Sequence, residues 1–162
     1  MNQMIEISKE YCKEKHKNVE RNDKKPHYEH SFRVGDMVSN LIKDEDIIIA
    51  SYLHDIFDSG SGTEKEVLNL FNEKVVDIIK ELTNDKEMIK IKGKFKYMVD
   101  KINSISDESL LIKLCDRYDN LTDSGHKPSY VIETTKLIKL INRPLTDTHK
   151  KIINLINSVT NN

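Results

Sequence analysis

Apolar residues recur at intervals of three and four along nearly the whole chain, the period of helices that each bury one face. A first helix is predicted over about residues 3–19. A polar loop, Glu20 to Lys25, then ends at Pro26, well placed to start a second helix from Tyr28 to about Ile42. Asp44 can cap a third helix carrying Ile47, Ile48, Ala50, Tyr52 and Leu53 and ending near Phe57, ahead of the Ser59-Gly60-Ser61-Gly62 turn. Thr63-Glu64-Lys65-Glu66 has the form of a capping box and opens a helix through Leu68, Leu70 and Phe71, with another from Lys74 to Leu82. Met88, Ile91, Phe95, Met98 and Ile102 form one stripe, which predicts a single helix over about residues 86–103. Asp107 begins a helix through Leu121, and Pro128 and Pro144 open two more. The expectation is an all-α fold, a compact helical bundle with two extra C-terminal helices and one soft boundary, Asp123 to Lys127.

Composition narrows the classes. A chain of 162 residues suits a single domain covering 1–162. The 26 basic and 27 acidic residues give a net charge of −1, which offers no long-range attraction to nucleic acid or to an anionic membrane. Cys12 and Cys115 are too few and too scattered for a disulfide framework or a zinc–cysteine site, which fits a reducing cytoplasm. No segment approaches the roughly 20 apolar residues of a membrane span. A soluble, unsecreted, cytoplasmic protein is expected, and its oligomeric state is left open.

The chemistry-bearing residues are His54-Asp55, adjacent at the end of an apolar run, read together with His30 upstream and Asp116 downstream. Two imidazoles and two carboxylates suit a divalent first-row metal such as Mn(II), Fe(II) or Zn(II), with positions left for water and a phosphate oxygen. Asp116 follows the apolar Leu111 to Cys115 segment, and a buried carboxylate is costly unless paired or held on a metal. Asp116, Asp119, Asn120 and Asp123 share one helix face, although Asp119 and Asp123 read equally well as solvated. Asp58, four residues after His54, could accept a proton from water beside the metal, or simply start the following turn. The catalytic candidates are therefore Asp58, His54 and Asp55. Arg21, with Lys24 and Lys25, and Lys113 near Asp116 offer positive charge to a phosphate, and an arginine can also stack on a base. His126 and His149 are expected at the surface.

These residues together resemble the HD superfamily of phosphohydrolases, and within it the (p)ppGpp hydrolase domains of the Rel/Spo type and their small stand-alone relatives. The resemblance spans about residues 11–123, leaving a helical extension of about 128–160. It rests on Lys15-His16-Lys17-Asn18 leading to Arg21, Pro26 and His30, on Leu53-His54-Asp55 followed by an acid, and on Lys113-Leu114-Cys115-Asp116-Arg117 with Asn120-Leu121. It implies that His30, His54, Asp55 and Asp116 are metal ligands, usually of Mn(II), that Arg21 stacks on guanine and that Asn120 meets the sugar. Lys113 joins Arg21 and Asn120 as a substrate-binding candidate. The implied activity is metal-dependent hydrolysis of the 3′-pyrophosphate of (p)ppGpp.

The chain departs from that family pattern at several positions. The family's Glu-Asp pair appears as Asp58-Ser59, the Lys and Ser after the stacking Arg are Asn22 and Asp23, and the Tyr after the proline is His27. Beyond Asn120 the usual Arg-Thr is Thr122-Asp123. The metal ligands are kept better than the nucleotide pocket. That pattern leaves open another nucleotide substrate, or a regulatory module that holds metal and nucleotide with weak or no turnover.

Overall fold

The computed structural model describes residues 2–161, and among them it contains helices and no strand, apart from one isolated bridge between Glu20 and Pro26. The helices are α1 (Gln3–His16), α2 (His27–Leu41), α3 (Glu45–Tyr52), α4 (Glu64–Leu70), α5 (Glu73–Leu82), α6 (Lys86–Lys92), α7 (Lys94–Ser104), α8 (Asp107–Asp123), α9 (Pro128–Lys139) and α10 (Asp147–Thr160). The all-α expectation is met. No helix among the described residues is long and apolar enough to cross a membrane. The chain folds as two compact units, Met1–Thr83 and Asn84–Asn162.

In the first unit α3 is the central element, buried from Ile47 to Tyr52 and packed against α1, α2 and α5. Its start is fixed as predicted: the Asp44 carboxylate accepts from the Ile47 amide at 3.2 Å. Its end comes earlier than the pattern implied, at Tyr52, after which residues 53–60 form successive turns. The α2–α3 contact is unusually close because Gly35 faces the ring of Tyr52, where a Cβ would lie 2.2 Å from Cδ1 and Cε1. The same tyrosine bonds Asp36 Oδ1 at 2.5 Å and meets the edge of Phe32 at 6.0 Å. Residues 32, 35 and 36 lie on one face of α2, so a single side chain clamps α3 onto it. Thr63 caps α4 by accepting from the Glu66 amide at 3.2 Å, while the Glu66 carboxylate takes the Tyr11 hydroxyl at 2.8 Å and Lys15 at 2.7 Å. Cys12 is fully buried, and burial pushes its thiol up to about 12.

In the second unit the expected single helix over 86–103 is two. Gly93, at φ 84°, closes α6 by donating to Ile89 and opens α7, since a left-handed residue cannot continue a right-handed helix. α8 is the core helix, with Leu110, Ile112, Cys115 and Leu121 fully buried, and it packs against α9 and α10. Burial raises the Cys115 thiol to about 12. α10 begins at Asp147 rather than at Pro144, because Thr146 supplies the cap.

His149 is not at the surface; it is 1% exposed. Its Nδ1 accepts from the Thr146 amide at 3.1 Å, so Nε2 carries the proton and donates to the Asp107 carbonyl at 2.8 Å. Arg143 donates to the carbonyls of Ile102 and Ile105 and to the Asp107 carboxylate, satisfying acceptors that the end of α7 leaves without helical donors.

Candidate functional site

In the first unit, His30 lies on the first turns of α2, and His54-Asp55 lie in the turns that follow α3. His30 and His54 are 1% and 3% exposed, whereas the Asp55 side chain is 26% exposed and accessible from solvent. The Nδ1 of His54 sits 2.8 Å from the Ser51 carbonyl. A carbonyl can only accept, so Nδ1 carries a proton, and Nε2 is the ring atom that faces Asp55 Oδ2, 3.3 Å away. A backbone carbonyl behind the distal nitrogen is also the usual way a metal-binding histidine is oriented.

The structure thus brings together three of the four ligand candidates in this unit, with His30 Nε2 3.7 Å from the same Asp55 oxygen. Two further histidines join them. His27, the first residue of α2, places Nε2 2.9 Å from Asp55 Oδ2, and His16, the last residue of α1, meets the His27 ring edge-on at 4.7 Å. Burial, then the neighbouring imidazoles of His27, His54 and His30, lower the His16 pKa to about 4 against the pull of Asp55, so it stays neutral near pH 7. Its Nε2 lies 2.9 Å from the hydroxyl of Ser59, the residue standing where the family pattern has its second acid. Asp58 is half-buried in the same turn segment. Arg21 lies in the loop between α1 and α2, its amide bonded to the Lys25 carbonyl at 3.0 Å.

In the second unit, Asp116 is 8% exposed on α8 and its two oxygens are separately engaged. Asn120 donates to Oδ1 at 3.0 Å and Lys113 approaches Oδ2 at 3.2 Å, so both substrate-binding candidates of this helix also orient the carboxylate. Asp119, which read equally well as solvated, is 4% exposed. A cavity of about 220 Å³ opens beside this cluster, bordered by Asp116, Asn120, Lys94, Lys101, Lys113 and Tyr130. That is less than the roughly 300–1,000 Å³ of sites that enclose a drug-sized ligand, and it suits a phosphate-bearing part of one.

Arg117, a residue the sequence offered only as part of a motif, is what holds the cavity's far wall. Its guanidinium donates to Thr134 Oγ1 at 2.9 Å and Glu133 at 2.6 Å and lies 4.1 Å over the Tyr130 ring. Held by these contacts it is a positioning residue, fixing α9 and Tyr130 against α8. His27 and Arg117 had a sequence signal, adjacency to the metal motifs, but neither spacing nor residue type distinguished them from solvated neighbours.

A family model described as HD domain matches residues 8–145. The chain is 30% identical over 118 residues to the guanosine-3′,5′-bis(diphosphate) 3′-pyrophosphohydrolase MESH1 of Drosophila melanogaster, an alignment covering 70% of this chain and 65% of that protein. It is 29% identical over 126 residues to the guanosine-3′,5′-bis(diphosphate) 3′-pyrophosphohydrolase of Aquifex aeolicus, of which it spans 17%. Among solved structures, a metazoan orthologue of SpoT described as hydrolysing ppGpp superposes with a TM-score of 0.80 at 22% identity, covering 98% of this chain and 96% of that one. The last likeness shows the fold. The chain spans about two thirds or less of the length of these curated relatives.

Proposed function

This chain belongs to the HD domain family, and from that premise we propose that it is a metal-dependent phosphohydrolase acting on a nucleotide, with the 3′-pyrophosphate of (p)ppGpp as its substrate. The observation that carries the reading is the His54 ring, its Nδ1 committed to a backbone carbonyl and its Nε2 turned towards Asp55. Relatives carrying the name of guanosine-3′,5′-bis(diphosphate) 3′-pyrophosphohydrolase support the substrate. His30, His54, Asp55 and Asp116 are the ligands of this proposal, with Mn(II) the ion expected and the cytoplasm the expected location.

A divalent ion there supplies Lewis-acid polarisation of a phosphoryl oxygen and acidifies water. The chain's own groups do the rest. Asp58 accepts the proton of the attacking water. Lys113 and Asn120 hold Asp116 in place and present donors to the substrate, while Lys94 and Lys101 give the cavity positive charge for a phosphate group. Arg21 stacks on the base.

A second reading is favoured by one observation: Ser59 offers a hydroxyl, held by His16, where the family pattern has a carboxylate. The protein would then bind metal and nucleotide with weak turnover. The test is release of phosphate and pyrophosphate from a panel containing ppGpp, NADPH and nucleoside mono- and triphosphates, with Mn(II) and with chelator. Chelator-sensitive pyrophosphate release from ppGpp alone is the expected result. Orthophosphate from another nucleotide reassigns the substrate, and a silent panel with metal bound favours the binding module.

A further inference from the structure

We infer that His27 is a third imidazole ligand of the metal centre, an inference that rests on the metal-site reading above. The Nε2 atoms of His27, His54 and His30 surround a single carboxylate oxygen, Asp55 Oδ2, at 2.9, 3.3 and 3.7 Å. For metal–ligand bonds of about 2.1 Å, neighbouring ligand atoms stand about 3.0 Å apart in an octahedron and about 3.4 Å apart in a tetrahedron. The His27 and His54 distances fall on those edge lengths. The His30 distance is slightly longer.

The placement of His27 follows from the backbone. It is the first residue of α2 and His30 the fourth, so they lie on one face one turn apart, with ring centroids at 5.8 Å. His16 packs edge-on against the outer side of His27, and its own Nε2 is taken by Ser59, so His16 fixes the ring without competing for the same oxygen. At 18% side-chain exposure, His27 lies nearer to solvent than the buried His30 and His54. Counted with His30, His54 and Asp55, His27 makes four candidate donors within the first unit.

The rival role for the same contact is a simple hydrogen bond from His27 N–H to Asp55. The two differ in the ion they favour. A third imidazole raises affinity for Co(II) and Zn(II), which accept nitrogen readily, more than for Mn(II), which prefers oxygen. A hydrogen bond to Asp55 acts on all three alike.

The test uses the full chain with Co(II), comparing wild type, His27→Ala and the size-conserving His27→Gln, with helicity followed by circular dichroism. Wild type is expected to bind one Co(II) per chain, and both variants to lose roughly 100-fold in affinity. The visible Co(II) absorption should change in shape, the loss should be smaller for Mn(II), and added imidazole should partly restore the His27→Ala spectrum. Unchanged affinity and spectrum overturn the inference. Weaker binding with an unchanged spectrum also overturns it, assigning His27 to orienting Asp55. A folded wild type that binds no Co(II), Zn(II) or Mn(II) overturns the metal-site reading itself, which is a different result.

Discussion

Replacing Gly35 by alanine sets two effects of opposite sign against each other. Alanine is favoured over glycine inside a helix by about 1 kcal/mol. Against this, the new Cβ would lie 2.2 Å from two ring carbons of Tyr52 and 2.5 Å from a third. Ordinary carbon contact is about 3.5 Å, so the ring must retreat by about 1.3 Å. It has little room to do so, being 3% exposed, bonded to Asp36 and packed on Phe32.

Overpacking of a tight core costs about 1–3 kcal/mol, and a displacement of this size belongs at the upper end. The net expectation is a loss of about 2 kcal/mol, or roughly 4–8 °C in the thermal midpoint of a chain this long. Urea and thermal denaturation followed by circular dichroism measure it. Tyr52→Leu makes room, so the double variant should be more stable than the sum of the two singles implies by more than about 1 kcal/mol. A Gly35→Ala protein as stable as wild type or more so, or strictly additive variants, would refute the clamp. Because α2 carries His30 and the chain leaving α3 carries Asp55, the single variant should also bind metal more weakly.

Asp55→Ala and Asp116→Ala should each abolish metal binding and hydrolysis while leaving the far-ultraviolet dichroism intact; full activity in either would sink the assignment. Ser59→Asp should raise turnover on a 3′-pyrophosphate if the missing acid is what limits the rate, and unchanged turnover would point to another substrate. Arg117→Ala, which strands Glu133 and loosens Tyr130, should cost about 3 kcal/mol in urea denaturation, a loss under about 1 kcal/mol showing that the guanidinium is dispensable. His16 is depressed from 6.5 to about 4 in the folded protein, so protons favour the unfolded chain. Its contribution is fully present above pH 6.5, is lost as the pH falls towards about 4, and changes no further below that. With chelator present, His16→Gln should flatten that part of the stability–pH curve, and an unaltered slope would contradict the assignment.

The residues that read clearly in the sequence are those whose effect is local. Pro26, Asp44 and Thr63 start helices through their own ring geometry or side-chain oxygens, so their neighbours hardly matter. Gly93 leaves no mark on the apolar stripe, which runs through it from Met88 to Ile102, and only its positive φ divides the helix. Pro144 marks a helix start by its ring, but the helix begins three residues later, where the Thr146 side chain supplies the cap. His149 looked like a surface residue because its two partners include Asp107, distant in sequence.

The candidate site divides in the same way. The His-Asp pair and Asp116 announce themselves by type and context, whereas the closeness of His27 to Asp55 is produced by the packing of α2 on α3. That packing leaves no periodic trace.

Each compact unit contains one cysteine, Cys12 in the first and Cys115 in the second, both fully buried with thiols near 12. A thiol that is shielded and protonated does not react until the backbone around it opens. The chain therefore carries two internal clocks, and the rates at which a disulfide reagent reaches each sulfur report how often each half opens. Equal rates that slow together when metal is added would mark one cooperative body. Unequal rates would identify the half that lets go first.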